Sequence, residues 1–177
     1  MRATGIVRRI DELGRVVIPK EIRRTQHIHS GDALEIFTDG KGEVVFKKYS
    51  PLAELGEPAA AYADVLARRL GCGVAVCDRE KIVAAAGAGR SELLGEPLPP
   101  ELDALLARRK LYTAPEEPLH RVALGRRWLL CAAPVLVHGD IEGGVLLPGM
   151  RRDAVPDPET IRAAATAAEF LARWMGE

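Results

Sequence analysis

Long apolar runs, a disulfide-forming complement of cysteine and any net charge are all missing from this chain of 177 residues. No apolar stretch approaches the roughly 20 residues that cross a bilayer, and the N-terminus has no signal-peptide core, so the chain is expected in the cytoplasm with no membrane partner. Cysteine occurs only three times, as Cys72, Cys77 and Cys131. In the strand-like stretches Cys72-Gly-Val-Ala-Val-Cys77 and Leu129-Leu-Cys131-Ala these read as reduced, buried thiols, and their separations match no metal-ligand spacing. Neither a metal nor a cofactor is expected. Apolar residues at 47% and charged residues at 28% are ordinary for a globular protein, with room for one large or two small domains.

The zero net charge hides an uneven distribution. Residues 1 to 50 hold ten Lys and Arg against seven Asp and Glu, a balance of +3, which leaves 15 against 18, a balance of −3, for the remainder. The basic end carries Arg8, Arg9, Arg15, Arg23 and Arg24 on what read as short rigid elements. Ile6, Arg8 and Ile10 share one face of an extended segment, Asp11 to Gly14 turns the chain, Arg15 opens a second strand through Ile18, and Pro19 ends it. Guanidinium groups on rigid backbone reach phosphates and guanine edges bidentately, whereas charges on a loose tail add only nonspecific attraction. Four short apolar runs, Gly5 to Ile10, Val16 to Ile18, Leu34 to Phe37 and Val44 to Phe46, read as strands, with Asp39-Gly-Lys-Gly42 turning the last pair into a hairpin. Roughly fifty residues without a disulfide bury too little surface to stand alone, so this unit is expected to complete its core with a second copy.

The strings Thr4-Gly-Ile-Val-Arg8, Asp11-Glu-Leu-Gly-Arg-Val-Val-Ile-Pro19 and Glu21-Ile-Arg-Arg24, followed by Gly31-Asp-Ala-Leu-Glu-Ile-Phe37 and Lys47-Lys-Tyr49, resemble the N-terminal module of AbrB-type swapped-hairpin transcription factors. The resemblance implies a β-barrel-like body made by two chains exchanging hairpins, which doubles the arginine surface and suits pseudo-symmetric double-stranded DNA. It implies that Arg8, Arg15, Arg23 and Arg24 make the principal DNA contacts, with Arg9, Lys20 and the Lys47-Lys48 pair as lesser ones.

A boundary is expected near Ser50-Pro51, dividing a DNA-binding domain (1–50) from a second domain (51–177). Leu55, Ala59, Tyr62, Leu66 and Leu70 recur at helical spacing until Gly71. Gly73 to Cys77 and Ile82 to Ala86 read as a hairpin around Asp78 to Lys81. Prolines 97, 99, 100, 115 and 118 interrupt the middle segment, which holds one expected helix from Glu101 to Arg109. Leu119 to Leu124, Trp128 to Val137 and Ile141 to Leu147 read as three further strands. Asp157-Pro-Glu159 starts a closing helix with Ile161, Ala165, Ala168, Leu171 and Met175 on one face. The pattern is an α+β domain with an antiparallel sheet of about five strands.

Within it, Ala133-Pro-Val-Leu-Val-His-Gly-Asp-Ile-Glu-Gly-Gly-Val-Leu-Leu147 resembles the final strand pair of GAF sensor domains, where a glycine turn and paired glycines recur. With the AbrB-like head, the whole arrangement resembles sporulation regulators of spore-forming bacteria. The resemblance implies a nucleoid-associated regulator of sporulation or late-developmental genes, acting as a homo-oligomer that dimerises through residues 1–50 and forms a tetramer through residues 51–177. The second domain is expected either to sense a small ligand or to serve assembly alone. A sensor pocket under the proline-broken segment Arg90 to Pro118 is expected to include Val76, Val83 and Leu130. The asparagine-lysine-phenylalanine-aspartate-glutamate signature of cyclic-nucleotide GAF domains is missing, and Cys131 lacks the following histidine of bilin attachment.

His27 and His29 offer two imidazoles without a third ligand nearby, and Gly87-Ala-Gly89-Arg90 lacks the Rossmann unit that would make it a phosphate loop. Two other functions remain open. A GAF-fold redox enzyme would use cysteines, yet Cys72 and Cys77 fall on opposite faces of one expected strand. An antitoxin would carry a flexible tail where this chain is apolar and patterned.

Overall fold

Two aspartates close the turns of the first compact unit, Met1–Tyr49, in a computed structural model that describes residues 4–26, 28, 30–49, 52, 55–114 and 121–176. Asp11 Oδ1 accepts the backbone N–H groups of Leu13 at 3.0 Å and Arg15 at 2.8 Å. Asp39 Oδ1 does the same for Lys41 at 3.1 Å and Glu43 at 2.7 Å. Such side-chain turns fix a reversal without requiring any tertiary contact. The second turn joins β1, Leu34–Thr38, to β2, Val44–Lys48, in an antiparallel register from Leu34↔Lys48 to Thr38↔Val44. Helix α1, Lys20–Thr25, begins directly after Pro19, whose φ of −59° already suits a helix start.

The expected strands at 5–10 and 16–18 flank the Asp11 turn but are not hydrogen-bonded into a sheet among the described residues. Their apolar side chains also remain in solvent: Val7 is 84% exposed and Val17 72%. Ile10, Leu13, Ile36, Val44, Phe46 and Tyr49 are exposed with them. One copy of this unit therefore has strand edges and apolar faces that no part of the same unit covers.

The second unit, Ser50–Glu177, has a complete core. Helix α2, Gly56–Leu70, is ended by Gly71, which adopts a left-handed φ of 65° that costs glycine little. Strands β3, Val74–Cys77, and β4, Ile82–Ala86, form a hairpin whose turn is held by Asp78 Oδ1 accepting from Glu80 and Lys81 N–H groups at 2.7 and 2.8 Å. Two short helices follow, α3, Arg90–Leu93, and α4, Pro100–Leu106, the latter with proline in its first turn. After β5, Tyr112–Thr113, and β6, Ala123–Leu124, come the long strands β7, Arg127–Val137, and β8, Asp140–Gly149. Helix α5, Pro158–Gly176, closes the unit, started by Asp157 accepting from the Thr160 N–H at 3.0 Å and its hydroxyl at 2.6 Å.

The sheet runs β4-β3-β8-β7-β5, all antiparallel, with β6 also paired to β7. This is one strand more than expected, because the middle segment supplies the two-residue β5 at the edge. Of the expected strand Leu119 to Leu124, Leu119 and His120 lie outside the described residues, and Ala123–Leu124 is strand.

Each face of the sheet has its own core. On one side Val74, Val76, Ala84, Cys131, Ala133, Val135, Val145 and Leu147 pack against α2 and α5. The contacts from these helices are mostly alanine: Ala59, Ala63 and Ala67 of α2, and Ala164, Ala167 and Ala168 of α5. Methyl side chains let both helix backbones lie close to the sheet. On the other side Ala75, Cys77, Ile82, Ala85, Leu129, Ala132 and Leu146 pack against Leu93 of α3 and Leu102 and Leu106 of α4.

The paired glycines of β8 sit where no side chain fits. A Cβ on Gly143 would run into the carbonyl oxygen of Cys77 and come within 2.6 Å of Leu52 Cδ1, and one on Gly144 would lie 2.8 Å from Leu106 Cδ2. Backbone cannot yield as a flexible side chain can. Gly143→Ala is thus expected to destabilise the second unit by about 1–3 kcal/mol, the usual range for overpacking. Chemical denaturation of the full chain measures this, and an unchanged midpoint and slope would contradict the packing described.

Candidate nucleic-acid interface

The first unit collects the candidate DNA-binding side chains on two constrained pieces of backbone. Arg8 and Arg9 precede the Asp11 turn, Arg15 follows it, and Lys20, Arg23 and Arg24 ride on α1; all six are exposed. Arg15 is oriented by a charge-assisted bond, with Nε donating to Asp11 Oδ2 at 2.8 Å while the side chain stays 70% exposed. One carboxylate therefore shapes the turn and aims the arginine. The bonds from the Arg15 backbone, the Arg15 side chain and the Leu13 backbone hold the Asp11 carboxyl below its usual 3.8.

In α1, the Arg23 N–H donates to the Pro19 carbonyl at 2.9 Å, and the Thr25 hydroxyl donates to the Glu21 carbonyl at 3.0 Å. These bonds keep the helix closed behind its basic side chains. Lys47 lies with its Nζ 4.4 Å from the Phe37 ring centroid, a cation–π contact that ties it to the hairpin face. Lys48 is half-buried, unlike the arginines. His27 and His29 lie outside the described residues.

The orienting role of Asp11 was not deduced from the sequence, although an aspartate opening a turn four residues before an arginine is a readable signal. Exposed guanidinium groups on fixed backbone can hold phosphate oxygens and base edges together, which a mobile basic tail does poorly.

The expected sensor residues of the second unit fall differently. Val76 is buried, and Val83 half-buried, on the sheet face that packs against α2 and α5, not on the face under α3 and α4. Leu130 is half-buried, with its side chain against Gly149. The side chains that do face the middle segment are Ala75, Cys77, Ile82, Leu129 and Ala132. A groove of about 230 Å³ lies alongside α5 instead, lined by Leu111, Pro134, Leu136, Ala165, Glu169 and Ala172 among others.

Gly87 and Gly89 serve packing. A Cβ on Gly87 would come within 2.6 Å of the Cys72 carbonyl, and Gly89 leaves room for the buried Arg127 guanidinium, which pairs with Glu92 at 3.2 Å. Cys77 and Cys131 belong to opposite sheet faces, and burial first of all pushes each thiol up to about 12. Cys72 is also raised, by burial and then by Asp157. Thiols held protonated at neutral pH are poor nucleophiles.

Together these features define a two-unit protein with a basic, arginine-bearing head and an antiparallel α+β second domain. Comparison with known proteins places it more closely. Residues 54–176 match the family model described as stage V sporulation protein T C-terminal, transcription factor, and residues 7–53 match the model for the MazE antitoxin, described as antidote-toxin recognition. The chain is 41% identical over 186 aligned residues to stage V sporulation protein T of Bacillus subtilis, covering 99% of both chains. Its first part is 59% identical over 51 residues to the transition state regulatory protein AbrB of the same organism, covering 29% of this chain and 52% of AbrB. The second unit shares its fold with the GAF domain/HD domain protein from Geobacter sulfurreducens, at a TM-score of 0.50 and 14% identity over 68% of this chain and 91% of the other. The chain belongs to the stage V sporulation protein T family of transcription factors.

Replacing Asp11 by alanine removes both the turn acceptor and the partner of Arg15, and is expected to weaken DNA binding several-fold in fluorescence anisotropy. Asp11→Asn keeps the acceptor oxygen and should lose less. A carboxyl whose folded pKa is depressed contributes its stability above the ordinary value and loses it only as pH falls through the lowered one. The Asp11 turn should accordingly add no pH dependence between pH 5 and 8, and equal affinities for wild type and Asp11→Ala would contradict its orienting role.

Proposed function

We propose that this protein is a sequence-specific DNA-binding regulator of sporulation or transition-state genes. In this reading Arg8, Arg15, Arg23 and Arg24 make the principal contacts to double-stranded DNA, with Arg9, Lys20 and the Lys47-Lys48 pair supporting them. The observation that carries the proposal is the coincidence, within one small unit, of exposed arginines on constrained backbone and exposed apolar strands. The apolar strands call for a second copy, and a second copy repeats the arginines at a fixed spacing. Two-fold symmetric binding to pseudo-symmetric DNA follows from that repetition. Identity of 59% to AbrB over this stretch supports the same reading. A regulator of this kind works in the cytoplasm, on the nucleoid.

The second unit supports assembly, and with its GAF-like fold a sensing role. The outer side of α2 and α5 carries an aromatic group in which Tyr62 stacks on Phe170 at 4.8 Å and Phe170 meets Trp174 edge-on at 5.5 Å. Phe170 and Trp174 remain 40% and 52% exposed. An exposed aromatic set on paired helices suits a helix-to-helix contact between copies. One contact at each end of the chain gives a dimer of dimers. The antitoxin alternative draws on the match of residues 7–53 to an antitoxin model. It is the weaker reading, because a folded domain stands where an antitoxin would carry its toxin-binding tail.

Each Arg→Ala change at the four principal positions should cost about 1–3 kcal/mol of specific binding, and loss of a phosphate contact should lower the salt slope by about one per contact. A folded Arg15→Ala, Arg23→Ala double variant that binds operator DNA as wild type does would overturn the assignment. For assembly, light scattering should report four chains. A Phe170→Glu, Trp174→Glu variant should report two while still binding DNA, and a variant that stays tetrameric would exclude this helix face from the contact.

A further inference from the structure

Arg121 is only 6% exposed, and two of its three nitrogens, Nε and Nη2, reach no acceptor among the described residues and no solvent. The third, Nη1, donates to the carbonyl oxygen of Ala154 in the connection from β8 to α5. Nε and Nη2 lie along one edge of the planar guanidinium, the edge whose two parallel N–H groups grip a carboxylate. The hydroxyl of Tyr112 on β5 is likewise buried, and its O–H reaches no acceptor among the described residues. Burial raises its pKa, while the charge of Arg121 and then the backbone N–H of Val122 oppose that rise.

A buried cation with three of its five N–H donors unused is costly, since its solvation is lost and nothing replaces it. Three orphaned donors grouped in this way are expected where the acceptor arrives from outside. We propose that the second unit binds a small monocarboxylate, its two oxygens held side-on by Arg121 Nε and Nη2 and one of them by the Tyr112 hydroxyl. One negative charge fits better than two. A single guanidinium balances one, and among the described residues Asp153 also feels Arg121, an acid whose carboxylate is held by Arg151 at 2.6 Å. A phosphate dianion would gain no second cation there and would face Asp153. The remainder of the ligand is small and apolar, because Tyr112 and the neighbouring Val122 pack on the core cluster of Leu124, Leu129 and Ala132.

The site also has a route to the assembly helices. Arg121 holds the connection that leads into α5, so a ligand that fixes the guanidinium fixes the start of the helix bearing Phe170 and Trp174. The inference rests on the sensing role proposed for this unit and is independent of the DNA contacts.

The test uses the full-length protein in buffer free of carboxylates and phosphate. Acetate, isobutyrate and hexanoate are titrated against isobutyramide and inorganic phosphate at matched ionic strength, read by thermal shift and calorimetry. At least one carboxylate should raise the melting temperature saturably, and the amide and phosphate should not. Arg121→Met should weaken that binding by more than about tenfold, as expected when a bidentate charged partner is lost. Tyr112→Phe should weaken it less, and both variants should keep wild-type DNA affinity without ligand. Arg121→Met without ligand should be at least as stable as wild type, since it deletes an unpaired buried charge. Equal carboxylate shifts in wild type and Arg121→Met, no shift with any carboxylate, phosphate binding in their place, or an Arg121→Met protein that is markedly less stable would each overturn the proposal. If the site fails while operator binding persists, the loss concerns sensing alone.

Discussion

The constraint on which this molecule turns is that its first unit cannot bury its own apolar residues. A stretch ending at Tyr49 leaves Val7, Ile10, Val17, Ile36 and Phe46 in solvent and leaves the backbone around the Asp11 turn without strand partners among the described residues. Exposed apolar strands with open edges are a liability unless they meet a fixed partner. Local chemistry has therefore to do what a core usually does. Asp11 and Asp39 close their turns through side-chain acceptors, and Pro19 sets the start of α1. These devices need no tertiary support, which lets the arginines be presented in a defined way even by a unit that has no core of its own.

The second unit solves the opposite problem. It covers both faces of one sheet, and the two sides use different materials. Alanines of α2 and α5 meet one face, whereas leucines from α3 and α4 meet the other. Close packing leaves little freedom, as the contacts facing Gly143 and Gly144 indicate. The leucine side is built from short helices, and the donors of Tyr112 and Arg121 lie at its margin.

Much of this was legible in the sequence because it depends on local signals. Gly71 as a helix stop, Asp157 as a helix start and the hairpins at Asp39, at Asp78 and between β7 and β8 each rest on a few adjacent residues. Register did not. All four residues of β3 are buried, so its composition could not say which side chains face which helices. Irregularities in pairing at Val76/Cys77 and Leu129/Cys131 shift the alternation further. That is why Val76 and Val83 were expected under the middle segment but pack against α2 and α5. Arg121 left no trace in periodicity, since its significance comes from Ala154, 33 residues away, and from Tyr112 on another strand.

A ligand in the second unit can alter DNA affinity only if it binds one arrangement of the assembled chains more tightly than another. Influence must therefore pass through how copies pair, and α5 is the element placed to carry it. Its N-terminal connection touches Arg121, and its outer face carries the aromatic group. A carboxylate that completes the coordination of Arg121 would satisfy its unused donors and stiffen that connection in one step. Coupling of about 1–3 kcal/mol, the common range between linked sites, is enough to change operator occupancy several-fold. This is comparable to what one buried charge gains from an acceptor. A single well-placed guanidinium is thus sufficient in magnitude to serve as the sensing element, with no larger rearrangement of the sheet.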